Sequence, residues 1–203
     1  MIRLPELRKT AGYFFTQHLV RLLAKTPITP NALTWFGLLV AIGAAVLIST
    51  GHIFAAGFVV LVGGLFDMLD GALARLTNST SRFGAILDST LDRLSEAVIL
   101  LAILVAYTRG LVEPAVAGVV VVGLAWLGSL LVSYIRARAE ALGIECEVGI
   151  FTRAERVVIL VLGLLLGQID SALLIALAVI AALSLVTAGQ RLVYVWQKTR
   201  KMT

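Results

Sequence analysis

Four aspartates occupy two short, closely spaced segments of an otherwise apolar chain. Asp67 and Asp70 fall in "FDMLDGALAR", and Asp88 and Asp92 in "FGAILDSTLDR". The first pair is spaced i,i+3 and the second i,i+4, so on helices each pair shares one face. Carboxylates drawn together in a low-dielectric setting each cost several kcal/mol to desolvate, and they repel one another. A polyvalent cation removes that conflict. An oxygen-only donor set, with no Cys or His beside it, suits hard ions such as Mg²⁺, Mn²⁺ or Ca²⁺. Gly71, Ala74 and Gly84 are small where a phosphate-bearing ligand would approach backbone, and Arg75 adds a fixed positive charge. These parts resemble a two-metal centre for phosphoryl transfer. First-turn helix charges, or ion pairs with Arg75 and Arg93, account for any one aspartate but not for all four together.

The elements that must position these groups are membrane helices. The chain is 60% hydrophobic and only 14% charged, where a soluble domain carries about 25% charged residues, and its mean hydropathy is +0.99. Several stretches reach the roughly 20 apolar residues needed to cross a bilayer. We expect an all-α integral membrane protein with six spans at about 32–50, 53–75, 84–107, 112–137, 154–169 and 171–196. All of the 17 Lys and Arg except Arg109 fall at one end of that arrangement, which puts both termini in the cytoplasm. The same distribution makes a membrane surface, not nucleic acid, the partner of the net charge of +5. The first residues lack a compact apolar core followed by a cleavage site, so no cleavable signal is expected. The single Cys146 excludes a disulfide framework.

Residues 1–26 form a separate unit, a juxtamembrane amphipathic helix with Leu7, Ala11, Phe14, Phe15, Leu19, Leu22 and Leu23 on one face. Such a helix lies in the membrane interface, drawn to anionic lipid, or packs on the protein's own surface. "TPITPN" ends it, and Asn31 is placed to cap the first span. Residues 27–203 form the six-helix membrane domain. The short connection "LTNSTSR" makes the second and third spans antiparallel neighbours, with Asp67 on the order of 12 Å from its helix end.

The spacing Asp67-x2-Asp70-Gly71-x2-Ala74-Arg75-x8-Gly84-x3-Asp88-x3-Asp92 is identical to the signature of the CDP-alcohol phosphotransferase family, and the six-span layout and "TPNALT" resemble that family too. The resemblance implies attack of an alcohol hydroxyl on the β-phosphate of a CDP-linked lipid, with release of CMP. It implies that two divalent ions, Mg²⁺ or Mn²⁺, are held by Asp67, Asp70, Asp88 and Asp92, with Asp92 also the general base. Pro30, Asn31, Thr34, Asp67, Asp70, Gly71, Ala74, Arg75 and Gly84 would bind the CDP-lipid. A homodimer in the cell membrane, with its active site facing the cytoplasm, is implied by the same likeness.

The second half of the chain bears on the acceptor. "SYIRARAE", "FTRAERVVI" and "QRLVYVW" look like segments of bacterial phosphatidylinositol-phosphate synthases, with Ala154 where those have proline. By that resemblance Ser133, Arg136, Arg153, Arg156 and Arg191 would hold the phosphate of inositol 1-phosphate, and the donor would be CDP-diacylglycerol. Arginines at several helix ends independently suit a phosphorylated acceptor. Glycerol 3-phosphate is the alternative acceptor, and an ether-linked donor would leave the same motif. A cation transporter would carry its charges at mid-membrane within inverted repeats. Here the aspartates lie near one face, and we find no internal repeat.

Overall fold

The computed structural model describes residues 19–77 and 79–200. From residue 30 onward the described residues form, in order, α1 (Pro30–Ser49), α2 (Ile53–Leu76), α3 (Arg82–Thr108), α4 (Ala115–Ala141), α5 (Arg153–Leu165) and α6 (Ala172–Arg200). Among the described residues there is no strand. Leu7, Ala11, Phe14 and Phe15 of the amphipathic segment lie outside the described residues.

Local chemistry sets the helix starts nearest the site. Thr29, not Asn31, caps α1: its hydroxyl accepts from the Ala32 N–H at 3.3 Å, with Pro30 in the first turn. Proline there loses no hydrogen bond, because first-turn N–H groups have no intrahelical partner. Asn31 is thereby left on the first turn, where it faces a cavity described below. Ser81 caps α3, accepting from the Gly84 N–H at 2.9 Å.

Each helix packs along two others: α1 on α2 and α3, α2 on α5, α5 on α6, α6 on α4, and α4 on α3. The result is a closed ring. The expectation that the second and third helices are direct neighbours is therefore corrected, because α1 lies against both of them. The reason is steric: α1 presents Gly37, Ala41, Ala44 and Ala45 as buried small residues, so two helices approach it closely. At one end the ring is filled by Ile48, Ala56, Ile103, Ala106, Tyr107 and Leu164. At the other end its interior holds charge.

Four helices, α1, α2, α4 and α6, are long and apolar enough to cross a membrane. α3 is 27 residues long, but Asp88, Asp92, Arg93 and Glu96 load its first half with charge. α5 has 13 residues, about 20 Å of helix against a hydrocarbon core of about 30 Å. The span expected to run to residue 169 is helical only to Leu165 and continues as turns.

Residues 19–23 are helical. Val20 is buried with Leu33, Leu69 and Leu73, and Leu19 and Leu23 pack around it. Leu22 is exposed. This end of the N-terminal segment is thus docked on α1 and α2 beneath the charged end of the ring.

Candidate active site

α2 delivers Asp67 and Asp70 to different neighbours. Asp70 is buried and accepts a hydrogen bond from the Thr34 hydroxyl of α1 at 2.9 Å. It lines a cavity of about 180 Å³ with Pro30, Asn31 and Thr34 of α1, Gly71, Ala74 and Arg75 of α2, and Gly84, Ala85 and Asp88 of α3. This cavity exists because α2 and α3 diverge on either side of α1. Ser79, Thr80 and Ser81, from the connection between α2 and α3, complete its wall. Gly84 is small for a local reason, since a Cβ there would lie 2.9 Å from the Ser81 hydroxyl and 3.4 Å from the Asn31 side-chain oxygen.

Asp67 faces the interior of the ring. Its Oδ2 accepts from Arg153 Nη2 at 2.7 Å, and the same nitrogen lies 2.8 Å from Asp92 Oδ1. Gly37 makes room for Asp67: a Cβ at that position would stand 3.0 Å from Asp67 Oδ1. One guanidinium nitrogen therefore neutralises two half-buried carboxylates from two helices. Arg153 Nε, buried alongside, has no hydrogen-bond partner among the described residues.

The backbone beneath Arg153 is firmly held. Thr152 donates its N–H to Glu155 Oε2 at 2.7 Å, and its hydroxyl bonds the same carboxylate. Glu155 thereby anchors the first turn of α5 from within. Arg191 Nε and Nη1 donate to the carbonyls of Val148 at 2.9 Å and Val132 at 2.7 Å, tying the preceding loop to α4 and α6. Gly149 of that loop has φ +129°, and a Cβ there would meet Thr187 at 2.5 Å, so only glycine fits.

The remaining arginines expected at the acceptor phosphate also have partners. Arg156 is buried and forks onto Glu96, Nε to Oε1 at 2.9 Å and Nη2 to Oε2 at 3.3 Å. Arg136 pairs with Glu140 at 2.7 Å on an exposed face of α4. Ser133 is half-buried on α4. Arg153 and Arg156 share the walls of a small internal cavity with Asp67, Ser95 and Glu96; Ser133, Arg136 and Arg191 are not among those walls.

Glu96 did not figure in the sequence reading. Its signal is the continuation of the carboxylate spacing, Asp88-x3-Asp92-x3-Glu96, which extends one helical face by a further turn. Gly37 carries no such signal, since its reason lies on another helix.

Among the described residues, no three His, Cys, Asp or Glu converge into a ready-made metal shell. The donor chemistry nevertheless fits hard divalent ions, being all carboxylate oxygen. A cation already bridges two of the four groups, in the form of the Arg153 guanidinium.

Residues 27–194, spanning α1 to α5 and most of α6, match the family model for CDP-alcohol phosphatidyltransferase. The chain belongs to that family. It is accordingly a phosphatidyl-transferring enzyme of phospholipid synthesis. It is 42% identical over 171 residues to the archaetidylinositol phosphate synthase of Methanothermobacter thermautotrophicus, covering 83% of each chain. It is 36% identical over 202 residues to the phosphatidylinositol phosphate synthase of Mycobacterium marinum, covering 97% of this chain and 86% of that one. The Mycobacterium tuberculosis phosphatidylinositol phosphate synthase has been crystallised with CDP-DAG bound. That structure superposes with a TM-score of 0.81 at 33% identity, covering 89% of this chain and 93% of the other. The same mycobacterial protein has also been crystallised with manganese and citrate.

Proposed function

We propose that the protein transfers the phosphatidyl group of CDP-diacylglycerol to inositol 1-phosphate, giving phosphatidylinositol phosphate and CMP. The observation that carries this reading is the cavity between α2 and α3. Its walls combine Pro30, Asn31, Thr34, Asp70, Gly71, Ala74, Arg75, Gly84 and Asp88, and Asp67 and Asp92 meet at Arg153. In this reading the small residues admit the nucleotide and Arg75 offsets charge on its phosphates.

Asp67, Asp70, Asp88 and Asp92 would hold two divalent ions, Mg²⁺ or Mn²⁺. Such ions, when bound, stabilise the pyrophosphate and the departing phosphate charge. Thr34, by donating to Asp70, fixes the orientation of that carboxylate. Asp92 takes the proton of the attacking inositol hydroxyl as the new O–P bond forms. The pyrophosphate P–O bond breaks at the same phosphorus, and CMP departs with the electron pair. Arg153 and Arg156 lie beside Asp67, which suits them to the acceptor's phosphate; Ser133, Arg136 and Arg191 are assigned to the same task from the other side of the ring.

The acceptor assignment draws on both curated relatives, whose names share inositol phosphate and differ only in the lipid. A second reading of the donor, an archaetidyl lipid, is favoured by the relative at 42% identity. All six helices cross the membrane in this account, with both termini in the cytoplasm and the site facing it. The protein would act in the cell membrane as a homodimer, with residues 1–26 as an interfacial arm and 27–203 as the catalytic domain.

The test is CMP release by the purified protein with Mg²⁺. CDP-diacylglycerol and its archaetidyl counterpart would each be offered inositol 1-phosphate, glycerol 3-phosphate, free inositol or serine. Release confined to inositol 1-phosphate and abolished in Asp92→Asn is expected. Release driven by glycerol 3-phosphate instead would refute the acceptor assignment.

A further inference from the structure

We propose that Arg153 is a built-in counter-cation that competes with divalent metal for Asp67 and Asp92. Its displacement by the metal frees the guanidinium for the acceptor's phosphate. This rests on the reading of Asp67 and Asp92 as metal-holding carboxylates.

Three observations carry it. First, one nitrogen, Nη2, contacts both carboxylates, at 2.7 and 2.8 Å. Two half-buried carboxylates on separate helices are thereby neutralised by a side chain of the protein itself. A guanidinium and a divalent ion drawn to the same two carboxylates repel each other, so the binding of one weakens the other.

Second, the contact uses the guanidinium incompletely. Arginine offers a planar fork of five donors, yet here a single nitrogen engages both acids, and Nε is buried without a partner. An unpaired buried donor is costly. The arrangement thus neutralises the acids while leaving Arg153 short of the two-pronged contact that a phosphate offers.

Third, the side chain can leave its partners while its base stays fixed. Thr152 and Glu155 hold the first turn of α5, and Arg191 pins the loop before it. Arg156, three residues along on the same helix, is locked onto Glu96. Releasing Arg153 needs no backbone movement, only rotation of a side chain that is one-third exposed. Metal entry and presentation of Arg153 to an anion then become one event, because what displaces the guanidinium from its acids also supplies it with unused donors.

The reasoning makes opposite predictions for two ligands. Removing Arg153 removes a competitor of the metal and a partner of the acceptor. The full chain, purified in detergent and stripped of metal, would be titrated with Mn²⁺ alone, following free Mn²⁺ by electron paramagnetic resonance. Arg153→Gln should bind Mn²⁺ on the order of tenfold more tightly than wild type, and Mn²⁺ should raise its melting temperature by more. Inositol 1-phosphate binding to the Mn²⁺-loaded protein should weaken by on the order of tenfold in the same variant.

Arg153→Lys, which keeps the charge, guards against a folding defect and should stay closer to wild type in both titrations. A merely structural arginine would weaken both ligands, and that result overturns the proposal. Unchanged Mn²⁺ affinity in Arg153→Gln also overturns it, provided Asp67→Asn loses Mn²⁺, since the metal reading then stands and only the competition fails. Wild-type Mn²⁺ affinity in both Asp67→Asn and Asp92→Asn would instead remove the metal reading itself, and the proposal with it.

Discussion

Replacing Glu96 by alanine strands a buried charge, and the structure allows the consequence to be sized. The Arg156 side chain is 4% exposed and that of Glu96 is 14% exposed, with two nitrogen–oxygen contacts joining them. Removing one partner of such a pair costs about 3–5 kcal/mol, because the survivor stays desolvated and unpaired. The 14% exposure of Glu96 gives water a path to the stranded guanidinium once the carboxylate is gone, so the lower value, about 3 kcal/mol, is expected. At about 2–4 °C per kcal/mol for a chain of this length, Glu96→Ala should melt about 6–12 °C below wild type. The measurement is thermal unfolding in detergent, followed by intrinsic fluorescence of the three tryptophans. Glu96→Leu combined with Arg156→Met removes both charges and should recover most of the loss, since apolar replacement of a whole buried pair is close to neutral. That recovery is a coupling between the two sites and cannot come from two independent defects. A fall of under about 2 °C in Glu96→Ala, or a double variant no better than the sum of the singles, would refute the view that this pair ties α3 to α5.

Two further outcomes follow from single contacts. Thr34→Val removes the hydroxyl that donates to Asp70 at 2.9 Å while keeping the side-chain shape. It should cost about 1–3 kcal/mol in stability and raise the Mn²⁺ concentration needed for half-maximal CMP release, measured by metal titration of activity. Gly118→Ala would place a Cβ 2.2–2.5 Å from three atoms of the fully buried Tyr107 ring. Melting should show a loss of about 1–3 kcal/mol from overpacking, with KM for the CDP-lipid unchanged because Tyr107 lies at the opposite end of α3 from the aspartates.

The chemistry of the site was legible in the chain because it is local. The spacing of Asp67, Asp70, Asp88 and Asp92 follows helical periodicity, and side chains three or four apart on a helix share a face whatever surrounds them. The small residues Gly71, Ala74 and Gly84 were legible for the same reason, and they line one cavity with Asp70 and Asp88. Hydropathy marked where the helices run, since apolar length is a property of contiguous residues. It overran most at α5, where helix stops at Leu165, and also at the start of α4, where helix begins only at Ala115.

Relations between helices were decided by tertiary packing alone. Loop length suggested that α2 and α3 are neighbours, but the small face of α1 admits both and leaves a cavity where they part. The partners of the arginines likewise depend on distances across the ring: Arg153 to Asp67 spans 86 positions in sequence and Arg156 to Glu96 spans 60. A guanidinium reads in sequence only as a positive charge near a helix end. Whether it meets a phosphate, a carbonyl or a carboxylate is set by which acceptor the fold brings within about 3 Å. The chain thus specified by itself the donor groups and the faces that present them. Which cation stands between those groups was settled by the closure of the ring.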